Sequence, residues 1–410
     1  MLLISNIIIF LFVTAITFVG LGGEIFFKKT GISYYLFLIF IGIVLGPIFN
    51  IIPRGPLMPL LGLFSTFTLI MVLFHSGMDM KIKEVLRGSP RSLLQVILYV
   101  SLSIAIIVAV THLLFKWDLI QSLVFGSIIG GETTAVAIIP ITRTLNLSQK
   151  LTTFLTLESI INSVLLIVVF TAFLNLYKTG VTNWQTPLFT LATNFSIGIG
   201  IGIVLSIGWV FVLRQIKDYK YSYVFTIGLL LGTYAITEEL HGSGLISVLI
   251  FGIALGNYKS ILSVLRRWQF DISDLRQEIT KFQGEISFLM KTFFFVFLGL
   301  VFVIDPAKIF FNLLIGLGFL AILLFTRWIA SRVSTRSSEL YKDRNLILLL
   351  CAQGVTPATL SIVALDNGLP LANTFINFTV YVIILTNIVT TIGTVWFTRK
   401  AKQNPNTQTQ

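Results

Sequence analysis

The stretch FGSIIGGETTAVAIIPIT, residues 125–142, interrupts a run of apolar side chains with two adjacent glycines and a polar cluster. A second stretch, LLLCAQGVTPATLSIVAL at residues 348–365, has the same order of apolar run, glycine, polar residues and nearby proline. Lipid offers no partner to the backbone groups that a broken helix frees, so both breaks must be buried in protein or line a cavity. Two such breaks predict a polar centre inside a membrane protein.

The composition of the whole chain also indicates a bilayer. Of the 410 residues, 55% are hydrophobic and 11% are charged, whereas about a quarter of the residues of a soluble domain carry charge. The single Cys351 excludes a disulfide framework, and no C-x-x-C or histidine cluster indicates a structural metal or haem. The net charge of +12 is scattered over short connections rather than gathered on a soluble face. We therefore predict no cofactor and no nucleic-acid partner.

Apolar runs long enough to span a hydrocarbon core, roughly 20 residues as a helix, recur thirteen times. They lie near 4–22, 33–52, 57–78, 92–115, 119–142, 151–176, 185–213, 221–237, 243–258, 286–304, 308–331, 345–365 and 371–397. Connections after odd-numbered runs hold 23 of the 29 basic residues, and connections after even-numbered runs hold four. The positive-inside rule then predicts a multi-pass protein of the cell membrane with its amino terminus outside and its carboxy terminus in the cytoplasm.

The two interrupted spans are the fifth and the twelfth, and their offset of seven is odd. Corresponding spans then enter the membrane from opposite sides, so spans 1 to 6 and 8 to 13 can form two inverted six-helix repeats joined by span 7. Crossed broken helices in inverted repeats are typical of secondary transporters. The alternative is that the glycines only permit close helix packing. We predict one transmembrane domain over 1–398, a helix on the membrane surface within 259–285, and a disordered tail over 399–410.

Seven stretches together resemble the cation/proton antiporter family, which includes the sodium/proton exchangers, over nearly the whole chain. They are ISYYLFLIFIGIVLGP, LFHSGMDMKIKEV, GGETTAVAIIP, LESIINSVL, HGSGLISVLIFGIALGN, KTFFFVFLGL and QGVTPATL. The resemblance implies the all-α sodium/proton antiporter fold. It also implies alternating access, with protons and a monovalent cation competing for one site in the bilayer.

The same resemblance implies a division of labour among the helices. Those of about 4–78 and 221–304 would form a panel that makes a homodimer, those of about 92–176 and 308–397 would form a moving core, and 185–213 would link them. Two residues depart from the family pattern. The family's cation-binding aspartate is replaced by Ser163, and the arginine that often precedes the glycine of span 12 is replaced by Gln353.

Two acids lie deep in the predicted spans, Glu132 and Glu158. A charged acid at a helix centre costs several kcal/mol on insertion scales, so a neutral, protonated form is the usual relief and a proton-carrying role follows naturally. Because Ser163 is not an acid, we hypothesise that Glu132 replaces the missing aspartate. The alternative is that Glu132 caps the second half-helix by accepting hydrogen bonds from free backbone amides.

Oxygen-bearing side chains near these acids are candidate ligands for a dehydrated Na⁺ or K⁺. Positions four apart share a helix face, which pairs Glu158 with Asn162 and Ser159 with Ser163. Thr133, Thr134 and Thr356 complete the candidate set. The alternative for Glu158 is a protonated structural acid bonded to Gln353.

Two further side chains have candidate roles. Arg327 occupies a position where the family places lysine or arginine, and it would balance a core acid or else reach the cytoplasmic interface beside Trp328. His75 is a candidate pH sensor, since histidine titrates near neutrality, although a lone histidine more often only forms a hydrogen bond.

The candidate residues do not form an enzyme site. No nucleophile has a neighbouring His-acid pair, and no H-E-x-x-H motif is present. We therefore predict a carrier that exchanges Na⁺, or alternatively K⁺, for protons, with no metal site other than that of the transported cation. The second reading is a carrier on the same scaffold that moves another solute, such as an anion drawn by Arg327, or acts as a sensor.

Overall fold

The computed structural model describes residues 6–30, 32–52, 58–80, 90–134, 147–180, 185–216, 219, 221–264 and 273–403. The regular structure in these residues is helical. The helices are α1 (Asn6–Thr30), α2 (Tyr34–Ile43), α3 (Met58–Asp79), α4 (Pro90–Leu113), α5 (Leu119–Ile129), α6 (Gln149–Thr179), α7 (Gln185–Gln215), α8 (Ser222–Glu239), α9 (Gly244–Gly256), α10 (Tyr258–Val264), α11 (Ser273–Val301), α12 (Ile309–Ser334), α13 (Arg344–Leu349), α14 (Val355–Asp366) and α15 (Ala372–Gln403).

Each of the thirteen predicted runs contains helix, so the prediction of an all-α membrane protein is confirmed. Seven of the described helices are long and apolar enough to cross a membrane, and five apolar helices of 10 to 17 residues are shorter. Two of the shorter helices, α5 and α14, end or begin at the predicted breaks. The second half of the fifth run, residues 135–146, lies outside the described residues.

Local chemistry fixes several helix ends. Asp118 precedes α5, and its side chain accepts a hydrogen bond of 2.9 Å from the amide of Ile120, which satisfies one of the free donors of the first turn. Pro90 is the first residue of α4, where its missing N–H costs nothing. Pro47 lies in a π-helical turn, Val44–Ile48, that follows α2. Because proline cannot donate to the helix ladder, the turn is widened there.

Two sequence-based boundaries were wrong. We expected the tenth span to begin near 286 after a helix on the membrane surface, but residues 273–285 are the first part of the continuous helix α11. No proline interrupts Ser273–Val301, so nothing in the sequence forces a break at the membrane surface. The predicted tail also begins too early, since α15 continues to Gln403. Residues 404–410 lie outside the described part of the chain.

Packing divides the chain into two compact units, of which the first comprises Met1–Ser65, Ser89–Phe170 and Leu289–Gln410. In this unit α4 packs against α12 and α5, and α15 packs against α12 and α14. Helices α2 and α11 meet backbone to backbone at Gly42 and Gly299, where a Cβ on Gly299 would collide with the Ile39 carbonyl oxygen. Only glycine permits so close an approach.

The second unit comprises Thr66–Gly88 and Thr171–Phe288. Here α9 packs against α7 and α8. Gly77 of α3 and Gly252 of α9 also meet closely, with a Cβ on Gly77 falling 2.6 Å from the carbonyl oxygen of Leu249. The predicted division into a panel and a moving core stays a prediction, because it concerns motion.

Candidate functional site

The candidate site is built around two unwound stretches of the first unit. The first follows α5, which ends at Ile129, and runs through Gly130 and Gly131 to Thr134. Gly131 has φ +95°, and a Cβ there would lie 3.3 Å from the ring of Tyr99. Glycine is therefore required at this turn both by its backbone conformation and by the space available. The sequence GGETT predicted this break.

The second unwound stretch joins α13 to α14 and runs from Leu350 to Gly354. It is completely buried, so its backbone groups must find partners in the protein. The two stretches contact each other directly. The amide of Thr134 donates to the carbonyl oxygen of Ala352 at 2.9 Å, and the Gln353 side chain donates to the carbonyl oxygen of Ile129 at 2.7 Å. The predicted meeting of broken helices is thus present in the described residues.

The Glu132 carboxyl lies at this meeting point, with 2% of the residue exposed. Its Oε2 atom accepts a hydrogen bond of 2.6 Å from the amide of Gly354, the residue that precedes α14. Thr356, in the first turn of α14, contributes its amide and hydroxyl to the electrostatic environment of the carboxyl. These amides lie at the positive end of the α14 dipole, which favours an anion. Glu132 thus accepts a hydrogen bond at the start of α14, the half-helix of the twelfth span. The capping alternative had concerned the second half-helix of the fifth span, which lies outside the described residues.

Glu158 lies in α6 and is completely buried, and its partner is Arg327 of α12. Arg327 Nη1 and Nη2 donate to the two carboxylate oxygens at 2.6 and 3.2 Å, in the bidentate arrangement that guanidinium and carboxylate favour. Gln95 Nε2 adds a third hydrogen bond at 3.3 Å. The alternative in which Glu158 bonds Gln353 is therefore wrong, because a guanidinium takes up the carboxylate and Gln353 bonds Ile129 instead.

The structure also contradicts the interfacial reading of Arg327. The side chain is fully buried, donates from Nε to the Ile347 carbonyl oxygen at 2.8 Å, and stacks over the ring of Tyr99 at 4.9 Å. Arg332, one turn further along α12, is the residue that stacks on Trp328, at 4.3 Å. Because the Arg327 guanidinium is neutralised by a buried carboxylate and bonded to a carbonyl oxygen, its charge is stabilised inside the protein and does not need to extend to the membrane interface.

The remaining polar residues of α6 hold the first unwound stretch in place. Ser159 Oγ donates to the carbonyl oxygen of Thr133 at 2.7 Å, and Asn162 Nδ2 donates to the Thr133 hydroxyl at 2.7 Å and to the Gly131 carbonyl oxygen at 3.4 Å. Ser163, which stands in place of the family's aspartate, donates to the Ser159 carbonyl oxygen at 3.1 Å within its own helix. Of the candidate ligands of α6, the structure thus brings Ser159 and Asn162 into contact with the break, whereas Glu158 bonds Arg327 and Ser163 bonds within α6.

Besides Glu132 and Thr134, three residues of α15 hold the second unwound stretch, and sequence reasoning missed them. Thr386 Oγ1 accepts from the Gln353 amide at 3.2 Å, Asn387 Nδ2 donates to the Gln353 carbonyl oxygen at 2.7 Å, and Thr390 Oγ1 accepts from the Cys351 amide at 3.1 Å. The polar cluster TNIVTT at 386–391, inside an otherwise apolar span, was the signal that could have found them.

His75 belongs to the second unit, where its contacts are with α3 and α11. Its Nδ1 lies 2.9 Å from Oε1 of Gln283, and its Nε2 lies 3.5 Å from Oδ2 of Asp79. Gln283 uses its amide nitrogen to donate to the Met71 carbonyl oxygen at 2.6 Å, so its oxygen must accept from His75 Nδ1–H. This contact places a proton on Nδ1 of His75, and the role of His75 in pH sensing stays a prediction.

Comparisons with known proteins are consistent with this geometry. The family model described as "Sodium/hydrogen exchanger, transmembrane" matches residues 12–400. The chain is 31% identical over 173 residues to the Na(+)/H(+) antiporter ApNhaP of Aphanothece halophytica, an alignment covering 41% of this chain and 32% of that protein. It is 26% identical over 314 residues to the probable Na(+)/H(+) antiporter 2 of Methanocaldococcus jannaschii, covering 72% of this chain and 69% of that protein.

The fold is also similar to that of a solved transporter. The structure of the sodium proton antiporter MjNhaP1 from Methanocaldococcus jannaschii at pH 8 matches with a TM-score of 0.79 and 21% identity, over 96% of this chain and 99% of that one. The matches to the first three curated relatives span less than half of those proteins' own length, 32%, 45% and 30%. With a family model that covers nearly the whole sequence, the chain belongs to the sodium/hydrogen exchanger family of multi-pass membrane proteins.

Proposed function

We propose that the protein exchanges a monovalent cation for protons across the cell membrane by alternating access, with sodium preferred and potassium as the second candidate. One observation carries this proposal: Glu132 is a buried carboxyl at the crossing of the broken helices, and no basic side chain of the described residues pairs with it. Glu158, the other buried acid, is bound to Arg327. Glu132 is therefore the acid that remains for exchange.

The chemistry of exchange follows from a single carboxyl. When Glu132 is ionised it can bind a dehydrated cation, for which carboxylate, hydroxyl and amide oxygens are suitable ligands. When it carries a proton its charge is gone, and the cation loses its principal ligand. A proton and a cation therefore compete for one group. Thr133, Thr134, Asn162 and Thr356 supply neutral oxygens close to it.

The names of several relatives support sodium as the cation. ApNhaP and the antiporter of Methanocaldococcus jannaschii are both named as Na(+)/H(+) antiporters. The reading as an anion carrier has less support, because Arg327, the cation that was to draw the anion, is already bound to Glu158. The matched family and the printed names are those of transporters, which supports our expectation that the protein is not an enzyme.

The test uses purified protein in liposomes that contain a pH-sensitive dye. Addition of Na⁺ or K⁺ outside should change the internal pH, while addition of chloride as a salt of an impermeant cation should not. Glu132→Gln should reduce the cation-driven response to that of empty liposomes. The glutamine oxygen can still accept from the Gly354 amide, so the fold is retained while the titratable group is lost.

Glu278→Gln provides the matched control, because Glu278 is an exposed glutamate of α11 and is not among the candidate site residues. This variant should exchange at the wild-type rate. Cation-driven flux in Glu132→Gln equal to that of the wild type would remove Glu132 as the carrier of exchange. A response to anions alone would overturn the proposal of cation exchange itself.

Orientation and assembly are part of the same proposal. The distribution of basic residues supports an amino terminus outside and a carboxy terminus in the cytoplasm, and the family resemblance supports a homodimer. Labelling of a cysteine introduced near each terminus with a membrane-impermeant maleimide in intact cells checks the first inference. Mass determination of the purified protein in detergent checks the second.

A further inference from the structure

A rigid, exposed turn joins α12 to α13 at the end of the helices that the positive-inside rule places in the cytoplasm. Its centre is a short 3₁₀ helix, Glu339–Asp343, that begins at a Ser338 hydroxyl cap. Leu340 anchors the turn. It is 2% exposed and packs in a core cluster with Leu151 and Phe154 of α6. The turn is therefore fixed against the start of α6 while its polar residues face outward.

Two cationic side chains from neighbouring helices contact this turn, and a third, Lys342, lies within it. Lys150 Nζ, at the start of α6, lies 3.0 Å from Oε2 of Glu339. Arg91 Nη2, at the start of α4, donates to the Ser337 carbonyl oxygen at 3.2 Å. The Lys150 hydrogen bond and charge, with the charges of Lys342 and Arg91, lower the pKa of Glu339 below its usual value. We refer to Arg91, Lys150 and Lys342 as the cationic platform.

The platform carries more positive charge than the protein itself neutralises. Two carboxylates, those of Glu339 and Asp343, face the three cations, so one positive charge is left over. Both partners of the Lys150–Glu339 pair are exposed, with side chains 54% and 77% accessible. Exposed pairs of this kind contribute little to folding. The excess positive charge of Arg91 on α4, Lys150 on α6 and Lys342 in the turn is unfavourable, and an external anion would relieve it.

Aromatic side chains flank the platform in the manner of a membrane interface. Arg332 stacks over Trp328 at 4.3 Å, and Arg344 stacks over Tyr341 at 4.0 Å. Trp328 is 40% exposed and Tyr341 is 43% exposed. Tryptophan and tyrosine concentrate at the depth of the lipid headgroups, and clustered basic residues beside membrane helices attract anionic lipids. The occupant of the platform is thus expected at headgroup depth.

We propose that the cationic platform binds the phosphate headgroup of an anionic phospholipid in the cytoplasmic leaflet. The bound headgroup would join the ends of α4 and α6 to the turn that follows α12. These three helices carry Gln95, Glu158 and Arg327, the members of the buried network. A lipid bound at the platform would therefore stabilise the packing of α4, α6 and α12 around Gln95, Glu158 and Arg327. This inference does not depend on which solute the protein moves.

The experiment measures the melting temperature of the purified full-length protein in detergent, with phosphatidylglycerol or phosphatidylcholine added at equal mole fractions. Phosphatidylglycerol should raise the melting temperature of the wild type, and phosphatidylcholine should not. The triple variant Arg91→Gln, Lys150→Gln, Lys342→Gln should lose at least half of the rise. A matched triple variant, Arg214→Gln, Lys259→Gln, Lys281→Gln, removes three basic residues from the same predicted side and should keep it.

Three results would overturn the proposal. In the first, both triple variants lose the rise equally, which would mean that total basic charge and not the platform attracts the lipid. In the second, the platform variant keeps the full rise. In the third, inorganic phosphate at millimolar concentration reproduces the effect of phosphatidylglycerol, which would make this a site for a soluble anion. Since every variant changes side chains at the surface, loss of folding does not confound the comparison.

Discussion

At the scale of single residues, the Glu158 carboxylate receives three hydrogen bonds, and all come from nitrogen donors. Two are from Arg327, and the third is from Gln95. The orientation of the Gln95 amide is itself fixed, because Ser334 Oγ donates to its oxygen at 2.8 Å. The amide nitrogen must then face Glu158. The buried pair is thus fully bonded and carries no net charge.

A first prediction concerns the removal of one partner of this pair. Arg327→Met should destabilise the protein by about 3–5 kcal/mol, because it leaves a buried carboxylate without its counter-charge. The double variant Glu158→Leu, Arg327→Met should recover most of the loss, since apolar residues often replace a buried ion pair at little cost. Thermal unfolding of the purified proteins in detergent measures both. A double variant as unstable as Arg327→Met would contradict this account.

The sequence predicted the residues of the site better than it predicted their partners. Polar side chains in apolar runs mark Glu132, Glu158 and Arg327 as buried, because such residues are costly in a bilayer unless they are paired. The partner of Glu158 was misjudged, because Arg327 lies 169 residues away and three-dimensional packing decides which donor reaches it. The missing aspartate at Ser163 was visible from the family pattern.

At the scale of elements, each unwound stretch is held by a neighbouring helix. Helix α6 holds the first through Ser159 and Asn162, and α15 holds the second through Thr386, Asn387 and Thr390. Without such donors and acceptors the free backbone groups would be buried and unpaired. The polar residues of these two helices thus maintain the breaks.

A second prediction tests this support in α15. Thr386→Val keeps the shape of the side chain but leaves the Gln353 amide without its acceptor, which should cost about 1–3 kcal/mol of stability. Thr394→Val is the matched control, because Thr394 bonds only the Thr390 carbonyl oxygen of its own helix, at 2.7 Å. Its melting temperature should stay close to that of the wild type. Equal losses in the two variants would refute the support of the break by Thr386.

A third prediction concerns the crossing of α2 and α11. Gly299→Ala should destabilise the protein by about 1–3 kcal/mol, because the new methyl group would collide with the Ile39 carbonyl oxygen and force the helices apart. Gly318→Ala in α12 is the control, since nothing lies within 4 Å of its Cβ position. That variant should be neutral or gain up to about 1 kcal/mol from helix propensity. The melting temperatures of the two purified variants measure this difference. A Gly299→Ala protein as stable as Gly318→Ala would contradict the close contact between α2 and α11.

Helix positions were predictable from the sequence because a hydrocarbon core demands a fixed length of apolar helix. The ends of the helices were less predictable from the sequence. The continuity of α11 from Ser273 to Val301 follows from the absence of a proline between the amphipathic segment and the span, whereas we had placed a boundary where polarity changes. Close crossings such as Gly42 with Gly299 were not predictable, since many glycines in the sequence face open space.

At the scale of the whole molecule, three charged side chains are buried among the described residues: Glu132, Glu158 and Arg327. Two of them neutralise each other. Glu132 alone then decides the charge of the proposed site. It would be neutral with a proton bound and neutral with a monovalent cation bound, so both loaded forms of the carrier would cross with the same charge. The family fold was predictable from the sequence, and the inverted repeats stay a prediction, but this balance of charge required the three-dimensional structure.

A fourth prediction follows, that exchange is electroneutral. In liposomes with equal K⁺ on both sides, valinomycin clamps the membrane potential at zero, and the rate of Na⁺-driven pH change should be the same with and without it. An exchanger that moved unequal charges would build up a potential and slow down, and valinomycin would then accelerate it. Acceleration by valinomycin would therefore show that a second titrating group takes part.

The long sequence separation of the buried pair has a consequence for how the chain is made. Glu158 leaves the ribosome 169 residues before Arg327, which at about 5–20 residues per second corresponds to roughly 10 to 30 s of synthesis. During that interval Glu158 in the sixth span lacks its arginine partner. A truncated chain that ends before Arg327 would present an orphan acid to cellular quality control, so the sixth span is expected to stay with the insertion machinery until its partner is translated.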